Sequence, residues 1–105
     1  MEKAMDLCEL KASDFSPCLH QKFLVRVEGR EPVETELVDV RELVAPDDDP
    51  DRRQPFSLIF RGPADQPLRQ GVFEIENETL GTLGLFLVTI GPDREGRLRH
   101  EAIFT

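Results

Sequence analysis

Val33-Glu34-Thr35-Glu36-Leu37-Val38-Asp39-Val40-Arg41-Glu42-Leu43-Val44 is the stretch that decides the fold. Apolar and polar residues alternate along it with the period of a half-buried strand, but the phase slips. Val33, Thr35 and Leu37 share one parity, whereas Val38 and Val40 take the other. A strand that keeps one face buried changes parity only where an extra residue is inserted. A β-bulge or bend is therefore expected near Leu37 and Val38. A long strand that curls in this way belongs to a strongly curved or closed sheet.

The flanking sequence supplies partners for it. Upstream, Phe23, Val25 and Val27 alternate with Lys22, Arg26 and Glu28, and Gly29-Arg30-Glu31-Pro32 has the turn chemistry to join the two runs as a hairpin. Downstream, residues 46–54 hold Asp47, Asp48, Asp49 and Asp51 around Pro50 without an apolar anchor, and read as a flexible acidic loop. A third strand follows Pro55, with Phe56, Leu58 and Phe60 against Ser57, Ile59 and Arg61, and ends at Gly62-Pro63. A fourth, from Val72 to Asn77, sets Phe73 and Ile75 against Glu74 and Glu76. The fifth, Leu83 to Ile90, is apolar on both parities. Gly91-Pro92-Asp93 and Gly96 turn the chain into a sixth strand through Leu98, His100, Ala102 and Phe104. Ahead of all six, residues 1–21 form a helical or irregular segment, where Ser13-Asp14-Phe15 reads as a capped turn cut short by Pro17.

The expectation is one domain over residues 1–105, mainly β: a six-stranded antiparallel small barrel or roll with a short N-terminal helical element, its strands following one another as a meander. No room is left for the crossover helices of a doubly wound α/β fold. The chain has 105 residues, 13 basic and 21 acidic, for a formal charge of -8, and no Trp or Tyr. That balance argues against a nucleic-acid surface, which needs cations for phosphate and aromatics for bases. Glu2, Lys3, Asp6 and Glu9 break the opening segment, and the Leu80 to Ile90 run is too short to span a bilayer, so a cytoplasmic protein without membrane contact is expected.

Pro55-Phe56-Ser57-Leu58-Ile59-Phe60-Arg61-Gly62-Pro63, Gln70-Gly71-Val72-Phe73, Leu85-Phe86-Leu87-Val88-Thr89-Ile90-Gly91-Pro92 and Glu101-Ala102-Ile103-Phe104 together resemble a family of small bacterial proteins known only as a domain of unknown function. The similarity spans nearly the whole chain from Leu10. It implies no activity and no catalytic residue, and it associates the family with phage-tail-like assemblies. The chain departs from the pattern at His100, where the resemblance implies an aromatic residue, usually Tyr, and at Thr89, where it implies Pro. An aromatic at position 100 would make it a packing position.

Few constellations suggest chemistry. Asp47, Asp49 and Asp51 take the first, third and fifth positions of a calcium loop, but Arg52 stands where that loop needs Gly and Leu58 where it needs Glu. Cys8, Cys18, His20 and His100 lack the spacing of a zinc site, and Cys18 with His20 lacks an oxyanion-donating stretch. The two cysteines are expected as thiols. Glu34 with Glu36 and Glu74 with Glu76 are what a water-facing sheet looks like, because glycosidase-type work needs one carboxyl in an apolar pocket. No catalytic, metal or cofactor site is expected.

The fifth strand poses the remaining question. The favoured reading covers both its faces within the monomer, the outer one under Leu7, Leu10, Phe15 and Leu19; otherwise Phe86, Val88 and Ile90 meet another chain. The expected function is a non-enzymatic protein-interaction or structural module with a protein partner or a second copy, in sharper form an accessory of a phage-tail-like assembly. The alternative is a minor enzyme or a barrel binding a small anionic ligand through Arg61 and Arg69, although a structural ion pair is the favoured role for Arg61.

Overall fold

The computed structural model describes residues 12–42, 55–65 and 68–104. A one-turn helix α1 (Ala12–Phe15) runs into a 3-10 turn (Ser16–Cys18). Six strands follow: β1 (Lys22–Arg26), β2 (Val33–Glu42), β3 (Phe56–Gly62), β4 (Gly71–Asn77), β5 (Gly81–Pro92) and β6 (Leu98–Phe104). All neighbours are antiparallel, and the sheet closes on itself in the order β1-β2-β3-β6-β5-β4. Closure leaves no strand edge unpaired.

This order corrects the consecutive meander. β1 to β3 form one three-stranded meander and β4 to β6 another, joined by the pairs β3–β6 and β1–β4. The segment after Gly62 therefore crosses one end of the barrel to reach β4. Each half carries one irregularity in its middle strand: the register slips between Leu37 and Asp39 in β2, and between Thr89 and Gly91 in β5. The slip in β2 falls where the parity changes. Leu37 pairs with Phe60 facing inward, and past the bulge Val40 pairs with Leu58 and packs on the core.

The interior is filled by side chains. Phe23 meets Phe60 edge to face at 5.1 Å, with Val25, Leu37, Leu58, Ile75, Leu83, Leu85 and Leu87 packed around them. At one end Phe15 closes the barrel against Phe56 and Phe104, with ring centroids 5.7 and 5.5 Å away. At the other end the crossing segment buries Leu68.

Two expectations change at this level. β3 is the strand covered on both sides, since Ser57 and Ile59 are buried as well as Phe56, Leu58 and Phe60. β5 buries only Leu83, Leu85 and Leu87, leaving its outer side open. Phe15 is spent on the barrel end and Leu19 is exposed, so neither covers β5. Leu7, Leu10, Cys8 and the acidic loop at 46–54, with Asp47, Asp49 and Asp51, lie outside the described residues.

Candidate functional site

β-Strand pleating sends alternate residues outward, and register decides which of them meet. On the outer side of the second meander, Val72 of β4 stands directly opposite Phe86 of β5. Val88 stands opposite Glu101 of β6, and Ile103, two residues further along β6, points to the same outward side as Glu101. The outward side of these strands thus carries exposed apolar side chains: Val72 is 73% exposed, its partner Phe86 50%, and Ile103 on β6 58%. Val88 is half-buried next to it, and Ile90, the bulge residue, is 39% exposed. Single exposed apolar side chains are ordinary, but a paired set of them on one side of a sheet is the feature that marks contact surfaces.

Of the sequence candidates, Phe86, Val88 and Ile90 therefore sit on or beside this face. Val72 and Ile103 were not nominated by sequence: each occupies an outward position in a short strand, and only the β4–β5 register brings Val72 to Phe86.

Arg61 and Arg69 are not brought together. Arg61 lies in a cleft of about 480 Å³ with His20, Lys22, Glu36, Gly62 and Arg97, whereas Arg69 lines a separate one of about 910 Å³ with Arg26, Arg30, Leu68 and Phe73. Arg61 is already engaged, Nη2 donating to Glu36 Oε1 at 3.2 Å and Nη1 lying 3.7 Å from Asp93 Oδ2. Glu36 also pairs with His20 Nδ1 at 3.1 Å. The His20 contact holds the Glu36 carboxyl below its ordinary value, against partial desolvation and with help from Arg61. That is the opposite of the raised pKa a general acid needs. Desolvation pushes Asp93 up, but the amides of Arg97 and Glu95 and the charge of Arg61 outweigh it, so this carboxyl too is held low.

Cys18 and His20 point to different partners. The thiol lies 3.9 Å from Asn77 Oδ1 and 4.0 Å from the Asp14 carbonyl, and burial pushes its pKa up. A raised thiol pKa gives little thiolate at neutral pH. His20 adopts a left-handed φ of 71° and is exposed. His100 is fully buried, its Nδ1 2.9 Å from Thr89 Oγ1, and Thr89 donates to the Leu68 carbonyl at 2.9 Å. Among the described residues no group of three or more His, Cys, Asp or Glu side chains gathers as a metal site would require.

Residues 10–104 match a family described as a domain of unknown function (DUF6916). No curated protein and no solved structure matches the chain.

Proposed function

The chain belongs to this family, DUF6916, and on that premise we propose that it is a non-enzymatic protein-interaction module that binds another protein through the outer face of β4, β5 and β6. The observation that carries this reading is the exposed cross-strand pair Val72 and Phe86, with Ile103 exposed on the outward side of β6. The described interior of the barrel is filled with Phe, Leu and Val side chains, which favours binding on the outside. The face is built on hydrogen-bonded strands, which lowers the ordering cost of binding. The family resemblance supports the sharper form, an accessory of a phage-tail-like assembly. No helix among the described residues is long and apolar enough to cross a membrane.

The test is affinity capture from a bacterial host with the native chain and with Phe86→Asp plus Ile103→Asp, after thermal melts show that both fold. Specific capture by the native chain and its loss in the variant are expected. A partner retained by the folded variant would place the binding surface elsewhere.

A further inference from the structure

On the interaction reading above, we infer that the partner docks an extended segment of its own chain as an added strand along the N-terminal half of β4, beside Val72. Closure of the barrel is complete strand by strand but not residue by residue. β4 pairs with β5 along its whole length, from Gly71 opposite Leu87 to Asn77 opposite Gly81, and β3 pairs with β6 as fully. With β1 it pairs only over Glu74 to Glu76, against Leu24 to Arg26. β1 ends at Arg26, and the chain then turns away through the bond from the Arg30 N–H to the Val27 carbonyl. Gly71, Val72 and Phe73 therefore have no strand on their β1 side, and among the described residues no turn or loop backbone bonds to them in its place. Backbone N–H and C=O groups left along such an edge are what another chain pairs with.

The space beside this edge is open. A cleft of about 910 Å³ has Val27 and Arg30 on one wall and Arg69, Val72 and Phe73 on the other, and a Cβ on Gly71 would meet nothing within 4 Å. No proline interrupts residues 68–77. An added strand sets alternate side chains beside those of β4, so an apolar one next to Val72 covers a side chain that is 73% exposed, with Phe86 its neighbour on the far strand. Charge does not choose the occupant: Arg30 and Arg69 are matched by Glu28 and Glu74 in the same cleft, and Arg26 is held by Glu76. Backbone pairing and alternation choose it. A second copy would bring an identical recess, and two concave walls do not fill each other.

The probe is a ten-residue peptide of alternating Val and Thr with Lys at each end, titrated into the ¹⁵N-labelled full chain beside the same peptide N-methylated at every residue. Amides of Gly71 to Phe73 are expected to shift, and loss of the backbone donors on N-methylation to weaken binding about tenfold or more. In the free chain an amide among Gly71 to Phe73 should exchange with solvent about tenfold faster than any of Glu74 to Glu76. Val72→Asp should weaken peptide binding about tenfold, whereas Glu42→Lys at the end of β2 should leave it unchanged. Failure of the peptide to bind, shifts elsewhere, equal binding after N-methylation, or slow exchange throughout Gly71 to Phe73 would overturn the inference, as would a dimer in ultracentrifugation that Val72→Asp dissolves. Capture of a partner that depends on Phe86 and Ile103 while the peptide fails would leave the outer face standing and remove only the added strand.

Discussion

His100 shows how one side chain can be polar, buried and still accommodated. Thr89 has a single hydroxyl proton and gives it to the Leu68 carbonyl, so the bond to His100 needs its proton on Nδ1. The imidazole is thereby fixed as the neutral Nδ1–H tautomer, with Nε2 a bare acceptor that no described residue reaches. Burial lowers the pKa of His100 from its ordinary 6.5. The unfolded chain then takes up a proton that the folded chain refuses. Stability therefore holds above about pH 6.5 and falls as the pH drops below it toward the depressed folded value. Thermal melts at pH 7.5 and 5.5 should show a fall in Tm that is smaller in His100→Phe. Thr89→Val leaves both the imidazole N–H and the Leu68 carbonyl unpaired, a loss of about 2 kcal/mol. On top of His100→Phe the same change should cost about 1 kcal/mol, and chemical denaturation of the four chains measures the coupling. The two positions at which the chain departs from the resembled pattern are thus partners in one hydrogen bond.

Among the elements, β2 was the most legible. Its change of parity located the bulge within a residue, because a buried face leaves no other way to change phase. Strand positions and the hairpins β1–β2 and β5–β6 followed from alternation and turn residues for the same reason. Strand order did not follow. Alternation states that a strand has an inside but not which neighbour it pairs with, so the β3–β6 and β1–β4 pairings, and the crossing that buries Leu68, were invisible. The face of β5 was half legible: Phe86, Val88 and Ile90 needed cover, and of the residues expected to give it Phe15 went to the barrel end and Leu19 to the surface.

Gly62 is a position where β3 tolerates little change. Its φ suits any residue, but a Cβ would meet Thr35 Cγ2 at 3.3 Å and His100 Nε2 at 3.4 Å. Gly62→Ala should destabilise the barrel by about 1 kcal/mol, overpacking outweighing the stiffer unfolded chain. Thr35→Ser keeps the hydroxyl bond to the Phe23 carbonyl and removes Cγ2, so in that background the cost should fall to about zero in denaturant titrations.

On the scale of the whole molecule, one barrel separates its duties by side. The first meander carries charge pairs on its outer surface, among them Lys22 with Glu34, and His20 and Arg61 with Glu36. Exposed pairs of this kind contribute little to stability. The second meander adds exposed apolar side chains, whose water-facing halves leave only part of their surface to stabilise the monomer. Phe86→Asp should therefore cost about 1 kcal/mol and leave the barrel folded while it abolishes association. The most direct test of the account is a photo-crosslinking amino acid placed at position 86, and separately at Glu34 on the other meander, in the native host. A discrete adduct with another protein from position 86 and none from position 34 is predicted. No adduct from position 86, or the same adducts from both positions, would contradict it.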